Sequence, residues 1–115
     1  MKFYSARLLF IILIDNKRPR RRNDYDETVV LFRANDFDHA FTRALELGRA
    51  AETHYLNQRG QAVRWALVKV VTLDCVGASV EGREVASNLH ARTALKPVSF
   101  STRFRPERSR PNQSI

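Results

Sequence analysis

The run FYSARLLFIILI, residues 3–14, decides the fold. Successive side chains of an extended strand leave on opposite faces. The even positions Tyr4, Ala6, Leu8, Phe10, Ile12 and Ile14 are all apolar, so one face is apolar from end to end. The odd positions open with Ser5 and Arg7 and then become Leu9, Ile11 and Leu13. This predicts a long strand with one face in the core and a second face that needs cover over half its length. A secretory leader is not expected, because Arg7 abuts the apolar run, no small-x-small cleavage site follows and arginines come soon after. The run is also too short to cross a bilayer.

C-terminal to this strand, residues 15–26 read as a loop, with Pro19 among the arginines and Asn23, Asp24 and Asp26 as turn formers. Residues 27–34 predict a second strand, with Thr28, Val30, Phe32 and Ala34 inward and Arg33 outward. Asn35 and Asp36 are N-cap residues by type, and a helix is expected over 37–53. Its stripe is Phe37, Ala40, Phe41, Ala44, Leu45, Gly48 and Ala51. Gly48 inside a helix costs about 1 kcal/mol relative to Ala, which implies close packing against the sheet. After a turn at residues 57–60, residues 61–76 predict a third strand. Trp65 and Leu67 fall on one face and Ala66, Val68 and Val70 on the other, and Trp65 and Lys69 share a face. A short fourth strand is expected over 83–92, around Val85 and Leu89.

These elements predict an α+β domain over residues 1–92: two layers, a mostly antiparallel sheet in the order β-β-α-β-β, and one main helix on one face. Residues 93–115 mix Pro97, Pro106 and Pro111 with Ser and Arg and predict a basic, largely disordered tail, with residues 98–100 as a docking stretch. The second face of the sheet carries Leu9, Ile11, Leu13, Val29 and Leu31, with Trp65 as a core or interface anchor. An apolar face of this extent has to be covered. A homodimer through the open face is the expected cover, and a tail folding back is the alternative.

The formal net charge is +8 and is unevenly placed: residues 1–16 carry +1, residues 17–22 carry +5, residues 23–91 carry −3 and residues 92–115 carry +5. The body is mildly acidic. Basicity sits in the loop, as Lys17, Arg18, Arg20, Arg21 and Arg22, and in the tail, as Arg103, Arg105, Arg108 and Arg110. Such groups can neutralise several phosphates and bind RNA or DNA in a salt-sensitive way, or dock an acidic protein. The bland alternative is a solvated charge run that aids solubility. No recognised nucleic-acid-binding motif accompanies them.

The opening Tyr4-Ser5-Ala6-Arg7-Leu8-Leu9-Phe10, the second strand ending at Ala34 before a capped helix with Ala40 and Ala44, and the turn at 57–60 running into Val63-Arg64-Trp65 carry a resemblance. Over residues 3–92 the chain resembles the domain of unknown function family 4288. It departs from that pattern in the arginine-rich loop and the long basic tail. The resemblance implies a bacterial source and a compact α+β domain, and it implies no activity.

Chemistry-bearing motifs are scarce. His39, His54 and His90 are not at metal-ligand spacing. His39 falls in the first helical turn, where a solvated or capping role fits. The lone Cys75 precludes an internal disulfide, is compatible with a reducing, cytoplasmic setting, and reads as a small core residue. Asp24, Asp26 and Glu27 read as a solvated turn that offsets the arginines, since no calcium-loop glycine surrounds them. There is no nucleophile elbow, phosphate loop or dinucleotide fingerprint. No catalytic residue, cofactor, metal or small-molecule site is expected, and no membrane partner. The expected function is a non-catalytic protein-interaction module. The alternative is nucleic-acid binding through the arginine-rich loop and the tail.

Overall fold

The computed structural model describes residues 1–15, 23–85 and 98–111. In chain order it contains β1 (Lys2–Ile14), β2 (Asp24–Ala34), α1 (Phe37–Ala50), β3 (Thr53–Leu56), β4 (Ala62–Gly77) and a 3₁₀ turn (Pro106–Ser109). The strands form one antiparallel sheet in the order β2-β1-β4-β3. The most apolar strand, β1, is therefore interior and paired on both sides.

The first four of the apolar even residues of β1 do what their alternation demands, while Ile12 and Ile14 are only partly buried. Tyr4, Ala6, Leu8 and Phe10 join Phe32 and Ala34 of β2 and the helix stripe Phe37, Ala40, Phe41, Ala44 and Leu45 in one buried cluster. Helix α1 starts where the side chain of Asp36 accepts the His39 amide at 2.7 Å, meeting one of the donors a helix start leaves open. Gly48 lets α1 close on β4: a Cβ there would sit 2.6 Å from Leu67 Cδ2.

Strand β4 follows a modified period. Its register against β1 shifts between Phe3 and Tyr4, between Arg7 and Leu8, and between Leu9 and Phe10. Each shift passes over one β4 residue, namely Val76, Val71 and Val68, as a bulge does. Leu67, Val70 and Leu73, spaced by three instead of two, consequently all reach the helix-side cluster. This corrects two expectations. Val70 lies with Leu67, not with Ala66. Trp65 and Lys69 do not share a face, because they stand opposite Ile12 and Leu9, which point to opposite sides of β1.

The element order β-β-α-β-β is present, but its third and fourth strands are other segments than expected. Helix α1 ends at Ala50, three residues early, and Thr53–Leu56 pairs with β4. The turn after it is built by Asn57, whose Oδ1 accepts the amides of Arg59 at 3.0 Å and Gln61 at 2.9 Å, while Gly60 takes φ 74°. Of the strand expected over 83–92, residues 83–85 are not extended in the sheet and the remainder lies outside the described residues.

Residues 98–111 return to the sheet over a longer stretch than the 98–100 expected to dock. Val98, Phe100 and Phe104 pack against Ile11, Leu13 and Ala66 on the sheet face away from α1. Leu9, Ile11 and Leu13, expected as interface, are only 2, 0 and 1 % exposed within the chain itself. The two phenylalanines supply the apolar cover that this half of the face requires.

Candidate functional site: a cationic cleft at the sheet edge

Past β3 the edge of β4 is without a neighbouring strand among the described residues, and side chains take over its backbone donors. The Glu52 carboxylate accepts the Leu67 amide at 2.9 Å, and Ser109 Oγ accepts the Val70 amide at 2.8 Å. Residues 98–111 thus act as a strap. From the sheet face under Phe100 and Phe104 they pass the β4 edge and reach α1. Arg64 donates to the Thr102 carbonyl, Arg49 Nη2 donates to Glu107 at 3.0 Å, and Arg110 bonds the Asp38 carboxylate with its guanidinium 5.0 Å over the Phe37 ring.

Between strap and edge lies a cleft of about 440 Å³. The end of α1 and β3 contribute Arg49, Glu52, Thr53 and His54; β4 contributes Arg64, Trp65, Ala66 and Leu67; the strap contributes Arg103, Phe104 and Pro106. Three guanidinium groups face one lining carboxylate, that of Glu52, which is already engaged by the Leu67 amide. Arg64 also lies 5.9 Å from the Phe100 ring centre, and His54 tilts toward that ring at 6.2 Å. Two buried donors of the lining, Arg64 Nε and Trp65 Nε1, have no hydrogen-bond partner among the described residues. A buried donor left without an acceptor costs about 1–3 kcal/mol. The cleft is therefore cationic, partly aromatic, and rich in unspent donor capacity.

Of the expected binding residues, Arg103 lines the cleft, and Arg105, Arg108 and Arg110 belong to the same strap. Lys17, Arg18, Arg20, Arg21 and Arg22 lie outside the described residues. Trp65 is half-buried against the helix-side cluster, whereas Val29 and Leu31 are exposed on β2. Arg49, Glu52 and Arg64 line the cleft without having been expected there, since nothing in their local spacing separates them from solvated charges.

The other chemistry-bearing residues have local roles. His39 Nδ1 accepts the Asn35 amide at 2.9 Å at the start of α1. Asp26 accepts from Thr28 Oγ1 at 2.6 Å, and Glu27 pairs with Arg7 at 3.4 Å. Cys75 is exposed, unlike the core residue expected, and lies beside Tyr4. Burial pushes the Tyr4 hydroxyl above its ordinary value of 10.0, with Cys75 and Asp36 adding to the effect. His90 lies outside the described residues. Among the described residues no group of three or more His, Cys, Asp or Glu could hold a metal ion, and no helix is long and apolar enough to cross a membrane.

Fold and cleft together define a small α+β domain whose four-stranded antiparallel sheet carries a cationic, aromatic-lined cleft at one edge. The chain belongs to the family described as Domain of unknown function (DUF4288), which matches residues 3–87. The match takes in all four strands and the helix, while the strap lies beyond it. No curated protein and no solved structure matches the chain.

Proposed function

We propose that this protein is a non-catalytic binding module whose ligand is single-stranded nucleic acid, held in the cleft between β4 and the strap. The observation that carries the reading is the half-buried Trp65, its indole N–H without a partner among the described residues, in a cleft lined by Arg49, Arg64 and Arg103. Aromatic rings next to guanidinium groups are what an unpaired base and its phosphates require: stacking contributes about 1–3 kcal/mol per base, and the cations set a salt-dependent affinity. A polymer fits better than a single small anion. Arg105 and Arg108 of the strap and the five cations of residues 17–22 extend the positive charge beyond the cleft along the chain.

The test uses Trp65, the chain's only tryptophan. Titration with single-stranded RNA and DNA homopolymers at low salt is expected to quench its emission, and the affinity is expected to fall steeply with salt. Arg103→Ser, at an exposed position, is expected to reduce the salt slope by about 0.7, the increment of one single-strand phosphate contact. Unchanged emission together with no measurable binding at low salt would overturn the reading.

A further inference from the structure

We propose that the free edge of β2 pairs with β2 of a second copy of this chain, antiparallel about Val30, joining the two sheets into one. This association is independent of the cleft and lies on the opposite side of the sheet.

Strand β2 is outermost in the strand order and 11 residues long. Among the described residues no strand lies outside it, and it contains no proline. Such an edge presents a row of backbone donors and acceptors to any strand that fits it. Unlike the opposite edge, where β3, Glu52 and Ser109 serve β4, it has no such protection among the described residues. It also keeps two large aliphatic side chains in water: Val29 is 41 % and Leu31 44 % exposed.

The sequence of β2 is complementary to itself in one register. Directly opposed residues of an antiparallel pair point to the same face. A two-fold axis normal to the sheet must then pass through a residue, not between two. With Val30 on the axis, Val29 faces Leu31 of the second copy and Glu27 faces Arg33, and symmetry makes each contact twice. Moving the axis to Val29 sets Glu27 against Leu31. Moving it to Leu31 sets Val29 against Arg33. Either shift strands a charge opposite an aliphatic group. The charged pair is also held on the correct face: Glu27 by Arg7 at 3.4 Å, and Arg33 by the Phe3 ring 4.6 Å beneath its guanidinium.

The test is sedimentation of the full chain with charge-reversed variants. Wild type is expected to form a dimer at about tens of micromolar, with a concentration-dependent population. Glu27→Arg and Arg33→Glu are each expected to weaken self-association about tenfold, since each places like charges opposite each other twice. An equimolar mixture of the two variants is expected to restore the dimer, because each then meets its opposite; this restoration also requires both variants to be folded. Val30→Cys, with Cys75→Ser, is expected to cross-link on oxidation, since opposed Cα atoms about 4.5–5.5 Å apart lie within disulfide reach. A wild type that sediments as a monomer up to about 100 µM overturns the proposal. So does a dimer that ignores both charge reversals and does not cross-link through position 30.

Discussion

Glu107, on the strap, accepts a hydrogen bond at 3.0 Å from Arg49, in the last turn of α1. The two side chains are 41 % and 54 % exposed, which places the pair among surface ion pairs worth about 0.2–1 kcal/mol. Its larger effect is electrostatic, since it spends one of the cleft's cations within the protein.

Glu107→Gln is therefore expected to leave the unfolding midpoint almost unchanged and to strengthen binding of single-stranded RNA. The measurement is the Trp65 emission titration at low salt. Weaker binding by this variant would mean that Glu107 positions Arg49 for the ligand and does not compete with it.

Ser109→Ala removes the acceptor of the Val70 amide, at a residue only 2 % exposed. A buried amide stripped of its partner costs about 1–3 kcal/mol. Denaturant unfolding should report a loss in that range, and hydrogen exchange at Val70 should accelerate. Ser109→Thr, which retains the hydroxyl, should recover most of the stability.

Gly48→Ala sets two effects against each other. Replacing glycine inside a helix returns about 1 kcal/mol. The new methyl would meet Leu67 Cδ2 at 2.6 Å and Cδ1 at 3.0 Å, and overpacking costs about 1–3 kcal/mol. Leu67 is only 2 % exposed but borders the cleft, and it is the end of its side chain that must move, so the two effects nearly cancel and a net change within about 1 kcal/mol is expected. In the background of Leu67→Ala the same substitution should become stabilising, a coupling that a double-mutant cycle measures.

Tyr4 makes stability depend on alkaline pH. Burial raises its folded-state value above 10.0, and burial also raises Tyr25. Well below pH 10 both groups are protonated in the folded and unfolded chains and contribute no slope. As pH rises past the ordinary tyrosine value, the unfolded chain releases protons that the native chain retains, so stability falls. Tyr4→Phe is expected to flatten this loss, as followed by denaturant midpoints between pH 9 and pH 11 (about one unit either side of the ordinary value). An unchanged alkaline slope would assign it to other groups.

The sequence was most informative where one period runs unbroken. Tyr4, Ala6, Leu8 and Phe10 of β1, the Asp36 cap and the helical stripe from Phe37 to Gly48 reach the positions that periodicity assigns them, whereas Ile12 and Ile14 are only partly buried and Ala51 is exposed. Thr53–Leu56 was not legible, because four exposed residues continue from a helical stripe with neither glycine nor proline between. The faces of β4 shift phase at Val68, Val71 and Val76, ordinary strand residues that announce no bulge. The strap was legible only in part: residues 98–100 read as a docking stretch and the tail folding back as the alternative cover, but Phe104 and the β1 and β4 residues it meets are brought together only by the fold. The cleft inherits that difficulty. Arg49 and Arg64 look like solvated charges until the chain returns across the edge and brings them to Arg103, which the sequence did single out.

The strap lies outside residues 3–87, the part the family shares. One wall of the cleft therefore lies within the matched region and the facing wall beyond it. Arg103 on that wall is exposed and can be exchanged without touching any strand that builds the sheet, unlike Phe104, which packs on β1 and β4. On the function proposed above, ligand preference can then be retuned from the strap, with the matched sheet and helix held constant.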